Sequence, residues 1–381
     1  MSRPLDGMLV VGVEQAIAAP YCTRLLADLG ARVIKVERPE GDFARHYDTR
    51  ARGLSSHFVW TNRSKESLVL DLKLEQDRAV LMAIAAKADV FVQNLAPGAA
   101  SRLGFSPDRL ATLNPRIVTC SISGYGPDGP DSSRKAYDLL VQAEAGFLSV
   151  TGTPGDMAKA GISVADIAAG VSAYNSILAA LLNRHRTGMG DHIEISMLEA
   201  MAEWMGFPLN YAMDGAEPPP RAGAGHATIF PYGPYATSDG MVLFGLQNER
   251  EWAAFCSHVL RQPALASDIR FAGNAARATH RDDVNALIGA VLSALTTGEA
   301  VDRLEAAGIA TGRINDMAGL WSHPQLRARG CWQDIGSPTG PMPSLRPASG
   351  SGWQPRMDAV PALGEHTDAI LAEFGIAREA R

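Results

Sequence analysis

The sequence predicts an α/β protein: a doubly wound parallel sheet in a large domain, followed by a smaller α+β domain. Three observations carry this. Short apolar runs alternate with stretches of helical period along the first half of the chain, the pattern of a parallel sheet wrapped by helices. Residues 216–226 (AEPPPRAGAGH) are rich in Pro and Gly and mark a change of composition. And 381 residues are too many for one ordinary core.

Taken in order, residues 8–13 (MLVVGV) read as a buried strand. Pro20 sits where a helix can start and Gly30 where one can stop. Residues 32–37 (RVIKVE) alternate as a second strand, completing a β-α-β opening. A strand is expected near 68–72, a helix near 76–87, and strands near 89–93 and 117–122. Helices are expected over 139–149 and 166–186, then a strand at 191–196 and a helix at 197–213. Residues 233–246 predict a hairpin turning at Ser238-Asp239-Gly240. Helical segments run to about residue 308, and a last helix is expected near 366–375.

Composition narrows the function. A net charge of −6 argues against nucleic acid, which needs a broad basic surface. Apolar residues at 46% and charged residues at 20% suit a well-buried globular enzyme. Cys22, Cys120, Cys256 and Cys331 are widely spaced, with no CxxC and no Cys/His cluster to suggest a metal. The N-terminus lacks a signal-peptide pattern. The most apolar long segment, 161–183, contains Asp166 and Asn175 and reads as a buried helix, not a membrane span. A cytoplasmic enzyme is expected, without a membrane partner.

Six segments, in order, carry a family resemblance. They are EQAIAAPYCTRLLADLGARVIKVERPEGD (14–42), NRSKESLVLDLK (62–73), DVFVQNLAPGAASRLGF (89–105), SISGYGPDGP (121–130), NRHRTGMGDHIEISMLEA (183–200) and LGEHTDAIL (363–371). Together they resemble the CaiB/BaiF family (class III) of CoA-transferases. The resemblance implies a Rossmann-like large domain built from both chain ends and a smaller central domain. It also implies an interlocked homodimer. The boundaries are expected at 1–213 for the first part of the large domain, 214–226 for a linker, 227–318 for the small domain, and 319–381 for the return.

By position alone, Asp166 is a first-turn or capping acid at the start of a helical pattern. In the family this position carries the nucleophile. The two readings support each other, since a helix N-terminus favours an ionised carboxylate and its free N–H groups can hold an oxyanion. The implied chemistry moves CoA from an acyl-CoA to a small acid through mixed anhydrides and an aspartyl-CoA thioester. It needs no tightly bound cofactor; coenzyme A enters as acyl-CoA substrate.

The resemblance places CoA contacts at Ala16, Ile17, Arg38, Lys65, Asn94, Leu95, Arg102, Lys135 and Tyr137. Each Lys or Arg read alone is an ordinary solvated charge. Segments 55–67 and 225–235 look most like members acting on four- and five-carbon dicarboxylic acids. A second carboxylate needs a cation, for which Arg45, Arg50, Arg52 and His226 are candidates. Gly223 and Gly225 remain where some relatives carry a glycine run over the site.

Three alternatives stand beside this reading. A 2-methylacyl-CoA racemase of the same fold would carry a His in a Gly-His-Asp triplet, but here the triplet is Ala136-Tyr137-Asp138. Tyrosine is a poor base for an α-proton at neutral pH. A dinucleotide oxidoreductase would need GxGxxG after the first strand, where this chain has EQAIAAPY. A silent CoA-binding protein would not need Asp166.

Overall fold

The computed structural model describes residues 2–348 and 352–376. The chain divides into two compact units, one of residues 1–145, 160–206 and 325–381, the other of residues 146–159 and 207–324.

The first unit holds a six-stranded parallel sheet. Its strands are β1 (Leu9–Val13), β2 (Arg32–Glu37), β3 (Lys65–Val69), β4 (Val90–Gln93), β5 (Val118–Ser123) and β6 (Asp191–Ser196), in the order β3-β2-β1-β4-β5-β6. All five pairings are parallel. The order reverses direction between β1 and β4, so a crevice opens beyond their carboxyl ends, where such sheets place ligands. Val11, Ile34 and Leu68 pack in one apolar cluster with the helices Glu75–Ala85 and Thr367–Glu373. The alternate residues Val10 and Val33 are buried as well. Both faces are therefore covered, as a parallel sheet requires.

The helices Ala18–Asp28 and Val164–Thr187 pack against each other. The second is 24 residues long, with a stretch of mean hydropathy 1.4, so it has the length and composition of a span. Its buried residues Ala165, Ala168, Ala169, Gly170 and Ala173 are small, and small residues let helix axes approach closely. A Cβ at Gly170 would lie 2.8 Å from the Ala18 carbonyl oxygen, so only glycine fits there without a shift. The helix ends at Gly188, which is left-handed (φ 76°) and returns its N–H to the Arg184 carbonyl.

Several elements differ from the sequence expectation. β3 lies three residues earlier than expected, because Lys65 pairs with Val33 and the ladder starts there. The helix expected over 139–149 breaks at Gly146 (φ 75°), and the one over 197–213 breaks after Trp204. The strands β10 (Trp332–Ile335) and β11 (Met342–Leu345) form an unanticipated antiparallel hairpin, with Ile335 and Met342 packed near Phe58.

The second unit is an antiparallel sheet of β7 (Tyr232–Ala236), β8 (Met241–Gly245) and β9 (Thr311–Gly312), covered by helices. Its core includes Phe244, Trp252, Phe255 and Phe271. Residues 146–159 belong here and not with the sheet unit. Gly223 donates to the Gly152 carbonyl at 2.7 Å, and Arg221 donates to the carbonyls of Thr153 and Pro154.

Candidate active site

Asp166 lies in the first turn of the Val164–Thr187 helix, partly buried. The short helix Asp138–Glu144 begins against this turn. One Asp138 carboxylate oxygen accepts the N–H groups of Ala165 (2.8 Å) and Asp166 (3.2 Å); the other accepts the Gln142 amide at 2.6 Å. Gln142 in turn accepts the Ala160 N–H. Asp138 is thus a cap supplied from another helix.

This alters the expectation of an ionised carboxylate beside free N–H groups. The first-turn N–H groups of Ala165 and Asp166 are already taken. Burial, and then the Asp138 charge, push the Asp166 carboxyl up to about 7, against the nearby Ala18 N–H, which favours the ion. Two helix starts therefore meet at Asp166: its own, and that of Ala18–Asp28, which Gly170 lets come close.

The turn between β1 and the Ala18–Asp28 helix is held from several sides. The Asn94 side chain, just after β4, accepts the Gln15 N–H and donates to the Gln15 carbonyl, both at 2.9 Å. Ala16 is left-handed (φ 62°), an uncommon state for a residue with a Cβ. Its N–H reaches one Asp42 carboxylate oxygen at 3.2 Å. Ala16, Ile17, Asn94 and Leu95 thus meet at the crevice between β1 and β4, with the Asn94 amide engaged by backbone.

The cations sort by position. Arg38 follows β2, Arg102 closes a short helix after β4, and Lys135 lies in the segment after β5; all three are exposed. Arg38 donates to the Gly41 carbonyl and Arg102 to that of Pro97, which leaves other guanidinium donors on each.

Lys65 differs. It opens β3 instead of following a strand, and its ammonium is fully buried, bonded to Glu14 (2.6 Å), the Pro20 carbonyl (2.9 Å) and Asn62 (3.0 Å). Burial lowers its pKa to about 8. All three ammonium donors are used, so Lys65 as it stands offers none to a phosphate. Arg45 is likewise engaged, forked onto Glu37 at 2.7 and 2.8 Å and lying 3.7 Å over the Phe58 ring. That pairing, against the burial that would raise it, holds the Glu37 carboxyl down to about 2. Arg52 donates to the Pro341 carbonyl, and Arg50 is exposed.

Tyr137 is 66% exposed, so it is not a packing tyrosine within this chain. Tyr47, not singled out from sequence, stands 48% exposed in the electrostatic field of Asp166, Asp42 and Tyr137. Gly223, Gly225 and His226 belong to the second unit. The His226 Nδ1 accepts the N–H groups of Thr228 (3.2 Å) and Ile229 (2.9 Å), and its ring stacks on Tyr232. Nδ1 is therefore an acceptor, and only Nε2 is left to donate. His226 can therefore offer one ring N–H to a carboxylate.

Asp138 is named from sequence only as the acid of the Ala136-Tyr137-Asp138 triplet; its contacts with the Ala165 and Asp166 N–H groups span 27 and 28 residues, which no spacing rule exposes. Asp42 stood within a quoted segment, but its partners lie 7 and 26 residues away and no spacing rule exposes them.

The comparisons agree over the whole length. The model of CoA-transferase family III matches residues 5–367. The chain is 34% identical to the succinate–glutarate CoA-transferase of Agrobacterium fabrum, over 97% of this chain and 96% of that one. It is 35% identical to the acetyl-CoA:oxalate CoA-transferase of Acetobacter aceti, with the same coverage. The crystal structure of a CAIB/BAIF family protein from Brucella suis superposes with a TM-score of 0.86 at 34% identity, covering 98% of this chain and 100% of that one. The Agrobacterium fabrum and Acetobacter aceti relatives are named as CoA-transferases, and with tyrosine at position 137 the racemase alternative is not favoured. The parallel sheet, the crevice and this full-length similarity together place the chain in CoA-transferase family III.

Proposed function

We propose that the protein transfers CoA from an acyl-CoA to a four- or five-carbon dicarboxylic acid, with Asp166 as the covalent nucleophile. The observation that carries this is a partly buried, accessible carboxyl where two helix starts meet, in a chain similar throughout to a succinate–glutarate CoA-transferase.

The steps balance as follows. The Asp166 carboxylate attacks the donor thioester carbonyl; the C–S bond breaks and CoA leaves as thiolate. The mixed anhydride is then attacked at the Asp166 acyl carbon by that thiolate, releasing the donor acid and forming an aspartyl-CoA thioester. The acceptor carboxylate displaces the thiolate, giving a second anhydride. The thiolate attacks its acceptor carbon, yielding the new acyl-CoA and restoring the Asp166 carboxylate. A carboxyl titrating near neutrality suits a group that is alternately nucleophile and leaving group.

Arg38, Arg102 and Lys135, exposed in segments after strands, are the cations we assign to the CoA phosphates. To the rest of the CoA we assign Ala16, Ile17 and Leu95, which follow β1 and β4 at the switch point of the sheet. For the remote carboxylate of the acceptor we assign Arg50, since Arg45 is held by Glu37. The working form is an interlocked homodimer in the cytoplasm, in keeping with the family resemblance and with four free thiols.

The test compares kcat/KM for glutarate, succinate, butyrate and oxalate as acceptors with succinyl-CoA as donor, or glutaryl-CoA when succinate is the acceptor. Dicarboxylates of four or five carbons should exceed butyrate by about ten-fold or more, because butyrate leaves the site's cation unpaired. Equal values for succinate and butyrate would remove the dicarboxylate pocket. A preference for oxalate would favour the activity named for the Acetobacter aceti relative.

A further inference from the structure

Beneath the crevice lies a buried cluster of charges that the chemistry above does not use. Lys35, on β2, is wholly buried. Its ammonium meets Asp42 at 2.8 Å, the Glu14 carbonyl at 3.3 Å and the Glu14 carboxylate at 3.5 Å. Glu14 is closed off by Lys65 and by the Thr23 hydroxyl, both at 2.6 Å. Gly12 makes room for it, since a Cβ there would lie 2.6 Å from a Glu14 carboxylate oxygen. Asp42 spends its second oxygen on the N–H groups of Ala44 (2.9 Å) and Ala16 (3.2 Å).

Taking ions out of water is costly, and a buried ion pair is weak evidence for stability. What this cluster does geometrically is specific. Lys35 grips the 14–16 turn at both ends: directly at the Glu14 carbonyl, and through Asp42 at the Ala16 N–H. Ala16 is left-handed, a state that persists for a residue with a Cβ only where its surroundings over-determine it. Two residues on, Ala18 opens the helix whose backbone packs on Gly170, one turn beyond Asp166, and its N–H favours the ionised Asp166 carboxyl.

We propose that Lys35 and Asp42 are positioning residues for Asp166: together they hold the left-handed turn at Ala16 that aims the start of the Ala18–Asp28 helix at the nucleophile. This rests on the reading of Asp166 as nucleophile. Neither residue touches substrate; both act through the turn. The same turn carries the Ala16 and Ile17 backbone assigned to the cofactor, so one clamp sets both the cradle and the carboxylate.

The experiment uses the full-length protein with saturating succinyl-CoA and reads the rate at which the CoA adduct appears on the Asp166 peptide, per folded molecule, across pH 5–9 (roughly the span over which carboxyls and perturbed groups titrate). Lys35→Met should lower that rate by about ten-fold or more, as small misplacements of reacting groups do. It should also move the pH midpoint upward, because a displaced Ala18 N–H no longer favours the ionised form. The groups facing Asp166 that must be held constant are Asp138 and Tyr47, with Asp42 and Tyr137 beyond Tyr47.

Ala16→Gly in the Lys35→Met background should recover the rate several-fold, because glycine takes the left-handed turn without a clamp. Most of the loss in melting temperature should remain, since the Asp42 charge stays unpaired. If Lys35→Met does not fold, Asp42→Asn breaks the same pair while keeping an acceptor for Ala16, and should show a smaller loss of rate at pH 9, where the charge it removes no longer decides the ionisation of Asp166. Wild-type rate and midpoint in the folded variants would overturn the proposal, as would recovery by Ala16→Gly that merely tracks folded fraction. A wild-type protein that forms no adduct on Asp166 would overturn the nucleophile reading itself, a result distinct from either.

Discussion

Asp166 sits between two opposing influences: burial and Asp138 favour the neutral carboxyl, while the Ala18 N–H favours the ion. The balance near 7 has a kinetic consequence. Only the carboxylate attacks a thioester, so adduct formation should rise with pH through about 7, and at pH 6 roughly a tenth of the sites are ionised. Asp138→Asn keeps the acceptor for the Ala165 and Asp166 N–H groups but removes a negative charge. Its midpoint should move toward acid, making adduct formation about three-fold or more faster than wild type at pH 6. Stopped-time mass spectrometry across pH reads both; an unchanged midpoint would mean that Asp138 only caps. The stability linkage has the opposite face. A carboxyl raised from 3.8 to about 7 on folding costs nothing below the lower value and its full penalty above the upper one. Asp166→Asn should therefore raise the melting temperature more at pH 8 than at pH 5.

At the scale of elements, the close approach of two helices is what delivers the Ala18 N–H. Gly170 permits it. Replacing it with alanine gains about 0.5–1 kcal/mol of helix propensity. Against that, the new Cβ meets backbone at 2.8 Å, and overpacking of this kind costs about 1–3 kcal/mol. The second effect wins, and valine, which also loses propensity, makes the sign plain. Gly170→Val should lower stability by about 2 kcal/mol in urea unfolding and slow adduct formation more than it raises KM. A variant with wild-type stability would show that the helices part without cost. The elements also show what was legible. The parallel strands could be read because buried β-strands leave apolar runs between turn residues, and β2 and β6 fall where the sequence placed them. The breaks at Gly146 and after Trp204 were missed because the flanking residues keep helical period. The β10–β11 hairpin was missed because WQDI and MPSL alternate too briefly to stand out.

Over the whole molecule, the resemblance supplied what periodicity alone could not: that the chain's two ends build one unit, and a reason to propose more than a cap for the acid at a helix start. Lys65 was assigned to CoA by the resemblance and Arg45 to a carboxylate by its charge; in the structure they are engaged by Glu14 and Glu37, partners 51 and 8 residues away. No sequence pattern distinguishes a cation waiting for phosphate from one already paired. The proposed interlocked homodimer makes its own prediction. Chains that thread one another cannot part without unfolding, so sedimentation should give a dimer that persists on dilution to nanomolar protein and loses its association only with its fold. A reversible, concentration-dependent monomer would exclude interlocking.

The most direct measurement is mass spectrometry of the protein mixed with succinyl-CoA and quenched before turnover is complete. The expected result is a CoA adduct on the peptide that carries Asp166, absent from Asp166→Ala, with that variant folded and inactive in transfer. An Asp166→Ala protein that still transfers CoA, or a wild-type adduct on a different peptide, would contradict the assignment of Asp166 as the nucleophile.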